Sequence, residues 1–384
     1  MNNRTRTLAI LDYKEYDRLP LVHFGYWTET LQRWAEQGHI TRQQAHNWQD
    51  GNYVDLEIGQ KLGFDFNWYS VFGCMVDLFP KMRRRVLETF PDGSRKVADG
   101  NGAIIIDKPG VTSIPKEVGH LFQGRKEWEE IYKPRLRWTR QRLEKAQARV
   151  ASGTIAYGKG GREALLAGER DYPLGLWCGS LFGYIRNWLG VVGLSYLTMD
   201  DPALLEEMID TLGDLAYEGV KATLATGVTF DFAHFWEDIC FKSGPLVNPR
   251  LFSAQVGPHY RRITQLLNEH GLHVVSLDCD GMIDALIPTW FENGVNTMFP
   301  IEVGTWQASI KPWREKFGRE LRGVGGMNKV VFAYDYAAID AEIERLKPLV
   351  DLGGFIPCPD HRLASDARWE NVQHYCERMR RAFG

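Results

Sequence analysis

The stretch 273–302, HVVSLDCDGMIDALIPTWFENGVNTMFPIE, holds two apolar, strand-like runs with one helix between them, and each run ends in a carboxylate. Residues 273–277 are short, β-branched and apolar, and lead straight into Asp278, Cys279, Asp280 and Gly281. Ile283, Leu286, Ile287 and Trp290 then recur at helical spacing, Gly294 supplies a stop, and 296–301 runs into Glu302. In parallel α/β architectures the strand ends on one face carry the chemistry, so acids placed there read as a site.

Outward from this unit the same alternation repeats. Strands are expected at 229–233, 273–277, 296–301, 322–325 and 354–357, with helices near 249–270, 283–290, 305–317, 337–349 and 366–383. Upstream, 21–24 and 174–178 are further strand candidates. Asp201-Pro202 offers an N-cap and a first-turn proline to a helix carrying Leu204, Leu205, Met208, Ile209, Leu212 and Leu215 at helical spacing. The texture changes over 85–107, where Asp92-Gly93 and Gly100-Asn101-Gly102 separate β-prone runs, which predicts a small antiparallel excursion. The charged, glycine-free stretch 128–150 reads as a solvated helix. After it, GKGGRE at 158–163 lacks the spacing and the Ser or Thr of a phosphate loop, and reads as a flexible loop.

Successive strand–helix units argue for a parallel sheet. A closed (β/α)8 barrel spanning 1–384 as one domain is preferred over an open doubly wound sheet, because no strand is followed by a glycine-rich dinucleotide turn. Hydrophobic residues at 44% and charged residues at 25% are ordinary for a globular chain with a sizeable core. Lys plus Arg (46) against Asp plus Glu (49) leave a net charge of -3, which favours neither nucleic acid nor an anionic membrane. The six cysteines are scattered with no CxxC pair, and no apolar run is long enough to cross a bilayer, so a reducing cytoplasm is the expected location.

The residues following the strands are mostly polar: His23, Cys178, Asp231 with His234 and Glu237-Asp238, Asp278 with Asp280, Glu302, Asn328, and Asp360 with His361. Alternation in a strand would put Asp278 and Asp280 on one face and Cys279 on the other, and converging acids raise one another's pKa. Each also has a plainer reading. Asp278 or Asp280 could cap the next helix, Glu302 could pair with an arginine, and His234 and His273 could be packing histidines.

Three segments carry a resemblance: FDFAHFWEDICFKSGPLVNP, SLDCDGMIDALIPTWFENGVNTMFPIEVG and LGGFIPCPDHRLASDARWENVQHY. In these the chain resembles the uroporphyrinogen decarboxylase superfamily, including its corrinoid-linked methyltransferases. Where true decarboxylases have an arginine-rich N-terminal segment for the tetrapyrrole carboxylates, this chain has LPLVHFGYWTETLQRW, so uroporphyrinogen itself is not the expected substrate. Thiol-methylating members hold zinc with His-x-Cys and a distant Cys. Those positions fall here on Leu277, Cys279 and His361, so a zinc site would need Cys279, His361 and a carboxylate such as Glu237 or Asp280.

The resemblance implies a methyltransferase moving a methyl group between a small molecule or pterin and a corrinoid. Asp278, Asp280, Glu302 and His361 would be the catalytic centre, with His23, Asp231, His234, Glu237 and Asn328 around the substrate. No Asp-x-His-x-x-Gly motif is present, so the corrinoid is expected on a partner protein. Decarboxylation of a smaller acid and non-catalytic binding of a corrinoid or tetrapyrrole are the alternatives, and the oligomeric state is open, a homodimer included.

Overall fold

The computed structural model describes residues 1–108, 115–150 and 153–384. Its centre is a parallel sheet, and nine parallel strands organise it. These are β1 (Val22–His23), β2 (Phe66–Asn67), β3 (Val71–Phe72), β4 (Gly175–Gly179), β5 (Phe232–Trp236), β6 (Val275–Asp278), β7 (Thr297–Phe299), β8 (Arg322–Met327) and β9 (Phe355–Pro359). Seven of them form one sheet in the order β9-β8-β7-β6-β5-β4-β3, while β1 pairs with β2. Beyond the strand ends, Tyr26 and Leu363 form an isolated parallel bridge, flanked by Trp27 N–H to Leu363 O and Leu363 N–H to Gly25 O, both 3.1 Å.

The sequence explains the strands. β6, β8 and β9 are buried at every residue, as expected where helices cover one side of a parallel sheet and core side chains fill the other. β7 and β8 approach unusually closely: a Cβ on Gly325 would lie 1.5 Å from Pro300 O. Helix Pro202–Leu224 begins where the capping signal put it, with the Asp201 carboxylate accepting from Leu204 N–H at 3.0 Å and all six named apolar residues buried.

Four expectations change. β5 starts three residues later than its apolar run suggests, so Asp231 precedes the strand and His234 sits inside it. The excursion gains a fourth strand: Arg85–Thr89, Arg95–Ala98, Ala103–Asp107 and Lys116–His120 pair antiparallel in order. The stretch 128–150 is no single solvated helix. It breaks into the π turn Trp128–Tyr132, the 3-10 turn Lys133–Arg135, the short helix Gln141–Glu144 and the strand Gln147–Val150. The cause is burial of Trp128, Tyr132, Leu136 and Arg142, whose guanidinium donates to Met75 O and Asp77 O at 2.7 Å. The segment GKGGRE is a short turn running into helix Gly161–Ala167 rather than an open loop.

Candidate functional site

β6 ends on Asp278, which is 4% exposed. One of its oxygens shares a short hydrogen bond with the Tyr69 hydroxyl, while Oδ1 has no partner among the described residues. Tyr69 reaches that point because the chain breaks between β2 and β3: Asn67 Oδ1 accepts from Tyr69 N–H at 2.9 Å, and Asn67 O accepts from Ser70 N–H at 3.0 Å.

Beyond the strand end, Asp280 Oδ2 lies 3.1 Å from His361 Nε2, joining the segments after β6 and β9. Asp280 Oδ1 and His361 Nδ1 are buried without partners among the described residues. The His361 ring stacks on Trp27 at 5.5 Å and packs against Phe24 at 5.3 Å. Glu302 accepts from Gly281 N–H at 2.6 Å and Thr305 Oγ1 at 2.9 Å. Asp238, after β5, pairs with Arg186 at 2.7 Å. Asp238 and Ile301, the residue before Glu302, hold φ of 51° and 59°. That left-handed region costs a β-branched residue most, and such strain gathers at functional sites.

The carboxyls act on one another. Burial raises Asp278 well above the carboxylate range, the Asp280 charge raises it further, and the Tyr69 bond opposes both. Asp238 and Glu302 are raised by burial and then by Asp280, against Arg186 for Asp238 and against Gly281 N–H and Thr305 for Glu302. Tyr69 is raised by burial and by Asp278. The result is a set of buried acids that favours holding protons, in contact with a phenol and an imidazole. Carboxyls that favour the protonated form can act as proton donors to a bound molecule.

No protein-family model matches this chain, and no curated protein does. Solved structures do, among them a methyltransferase from Methanosarcina mazei, with 15% sequence identity, a TM-score of 0.61, and coverage of 100% of this chain and 99% of that one. The chain shares the fold of that structure.

On that fold the structure brings Asp278, Asp280, Glu302 and His361 together, sets His234 against Tyr69 beside them, and places the remaining candidates elsewhere. Asp231 lies at the opposite end of β5, bound by Arg4 at 2.7 Å, Arg170 at 3.2 Å and Leu174 N–H at 2.9 Å. Glu237 is fully buried and accepts from Ser180 Oγ, from the N–H groups of Leu181, Phe182 and Gly183 at 2.7–2.9 Å, and from the Tyr260 hydroxyl. Two oxygens have about four lone-pair sites, so five donors leave none for a substrate or metal. Asn328 caps the turn Lys329–Ala333 by accepting from Val330 N–H at 3.2 Å.

His23 is buried and pushed down to about 3 by desolvation. Its Nδ1 accepts from Gly25 N–H at 3.1 Å, which fixes the turn after β1. His234 is likewise held at about 3 by burial. Ser276 Oγ accepts from Trp68 Nε1 and sits 3.2 Å from His234 Nδ1, while His234 Nε2 is buried without a partner among the described residues. That ring meets Tyr69 edge-on at 4.9 Å.

The zinc set does not fit. Cys279 is buried and accepts from Ile239 N–H at 3.4 Å, its thiol pushed up by burial and then by Cys240 beside it. With Glu237 saturated and His361 engaged by Asp280, no group of three or more His, Cys, Asp or Glu among the described residues could hold a metal. Neither Asp278 nor Asp280 caps the following helix Ile287–Glu292, whose N-cap is Leu286.

Tyr69 and the bidentate Arg362–Asp50 pair, at 3.0 and 2.6 Å, join the site without having been singled out as functional in the sequence. A cavity of about 740 Å³ beside β3 is lined by Asp65, Phe72, Arg149 and Tyr172 and touches none of the four acids. Volume without convergent unpaired polar groups is the weaker mark of a site.

Proposed function

We propose that the chain is a methyltransferase of the uroporphyrinogen decarboxylase-like kind, moving a methyl group between a small molecule or pterin and a corrinoid carried by a partner protein. The observation that carries this reading is the Tyr69–Asp278 and Asp280–His361 cluster at the strand ends of a methyltransferase-like fold, with no cysteine thiol turned into it. The same reading treats 1–384 as one cytoplasmic domain and the sheet as a closed barrel. β2 and β3 are then one interrupted pass, β1 and β9 meet at the Tyr26–Leu363 bridge, and eight passes complete the ring.

A corrinoid supplies, through cobalt, the methyl-accepting and methyl-giving chemistry that side chains lack. This chain's residues do the rest. Trp27 and Tyr69, half-buried beside the acids, orient the small molecule, and the strand ends exclude water around Asp278. When a methyl group leaves a neutral atom, that atom needs a proton. The raised Asp278 carboxyl holds one at the oxygen shared with Tyr69, and Asp280–His361 can return it.

Mixing the protein with a methylated corrinoid and a panel of acceptors, or a reduced corrinoid and donors, and following the cobalt absorption bands tests the reading. A change dependent on both protein and small molecule is expected. A buried protonated carboxyl also suits protonation of a carbanion left by decarboxylation, so carbon dioxide is followed in parallel. Carbon dioxide release from a carboxylic acid with static cobalt bands would replace methyl transfer by decarboxylation.

A further inference from the structure

The cavity beside β3 is set apart from the strand-end acids, yet one of its walls holds a cation whose counter-charge is missing. That cation is Arg149, on the short strand Gln147–Val150. One guanidinium nitrogen, Nη1, donates to the carbonyl of Tyr69, and the other two make no hydrogen bond and no salt bridge among the described residues. Residues 109–114 (PGVTSI) and 151–152 (AS), outside the described ones, carry no carboxylate that could serve it.

Asp50 and Asp55 lie near enough to act on Arg149, and both are committed elsewhere. Asp50 is bound bidentately by Arg362, and Asp55, pushed up to about 7 by burial and then by Asp50, accepts from Trp48 Nε1, Gly51 N–H and Asn67 Nδ2. Burial lowers the Arg149 pKa, against Asp50, Asp55 and Tyr172, but a guanidinium keeps its proton in proteins. A desolvated charge without a partner is costly, so the missing partner is an anion from outside the chain.

The rest of the lining says which kind of anion. Its other arginines, Arg170 and Arg380, are already paired, with Asp231 and Asp65, each at 3.2 Å. Asp65, Asp171 and Glu169 line the same cavity, so one free cation beside three carboxylates suits a single negative charge and disfavours a dianion. Leu56, Val71, Leu165 and Tyr172, all half-buried, give the space an apolar side, and about 740 Å³ is room for a small organic molecule. Gly51, with φ of 66°, keeps the guanidinium approachable: a Cβ there would lie 2.5 Å from Arg149 Nη1 and 3.2 Å from Ser70 Oγ.

We propose that this cavity is a second binding site, for a monocarboxylate with an apolar body, its carboxylate held by Arg149 with Ser70 Oγ beside it. The site stands apart from the methyl-transfer reading, because it uses none of the strand-end side chains.

Isothermal titration of the full chain with 3-phenylpropanoate and with its amide separates charge from shape. The acid is expected to bind about tenfold or more tightly than the amide, since an arginine–carboxylate pair is charge-assisted and bidentate. Arg149→Met is expected to weaken the acid about tenfold and leave the amide unchanged, with the melting temperature showing the variant folded. Leu165→Trp, which narrows the cavity from helix Gly161–Ala167, is expected to weaken both probes, and it decides the case should Arg149→Met not fold. Asp280→Asn is expected to leave both probes as they were, and loss of binding there would place the acid at the strand ends and overturn the proposal. So would equal binding of acid and amide, no binding of the acid, acid binding indifferent to either cavity variant in folded protein, or inorganic phosphate competing as strongly as the acid.

Discussion

Two acids that look alike in sequence, the half-buried Asp280 and the sealed Glu237, do opposite work. Glu237 spends both oxygens on five donors and pins the start of helix Gly183–Asp200, whereas Asp280 has one oxygen on His361 and one on nothing. Asp280→Asn is therefore expected to cut turnover by about 10²–10⁴-fold with little change in melting temperature. Glu237→Gln should turn an amide NH2 toward N–H donors, at about 1–3 kcal/mol for each one stranded, and lower the melting temperature before any effect on chemistry is read. Thermal unfolding and steady-state turnover on both variants check this, and a stable, inactive Glu237→Gln would contradict it. The chemistry of Asp280 with His361 was legible because both follow strands, and strand ends converge. Tyr69 was not, since a tyrosine in an aromatic-rich stretch gives no sign of a partner 209 residues away.

At the scale of elements, close approach of β7 and β8 is the most sensitive packing feature. Gly325 has φ of 130° and a Cβ there would strike Pro300 O, while Gly318, after helix Ile310–Phe317, has φ of 77° with nothing within 4 Å. Gly325→Ala should cost at least about 4 kcal/mol, near the exceptional end for single substitutions. Gly318→Ala should cost less, about 1–3 kcal/mol, from backbone strain alone. Chemical denaturation of both decides it, and comparable losses would mean that β7 can retreat from β8. Elements such as β6, β8 and β9 could be read from their apolar runs because burial on both faces leaves that pattern. The stretch 128–150 could not. Its charges suggest a wet helix, yet the sealed Trp128 and Tyr132 and the inward Arg142 are tertiary decisions that override local propensity.

Across the whole molecule, the seam between the first and last segments is fastened by polar groups. Arg362 clamps Asp50, Arg18 and Arg380 meet Asp65 at 2.7 and 3.2 Å, and Asn67 of β2 donates to Asp55 at 3.0 Å. Asp55 is the vulnerable member. Burial first, then the Asp50 charge, raise its pKa from 3.8 to about 7, although Trp48 Nε1, Gly51 N–H and Asn67 favour the charged form. A raised folded-state pKa means that the folded protein binds the proton more tightly than the unfolded chain. Its contribution is whole below pH 3.8 and declines as pH climbs through about 7. The full span is on the order of 4 kcal/mol at one pKa unit per 1.36 kcal/mol. Urea unfolding between pH 5 and pH 8 should therefore show stability falling with pH more steeply in the native sequence than in Asp55→Asn, which cannot ionise. The substitution also disturbs hydrogen bonds, so the slope, not the absolute stability, is the quantity that decides. Parallel slopes in the two proteins would show that Asp55 stays charged in the fold, and that the Trp48, Gly51 and Asn67 donors outweigh its burial.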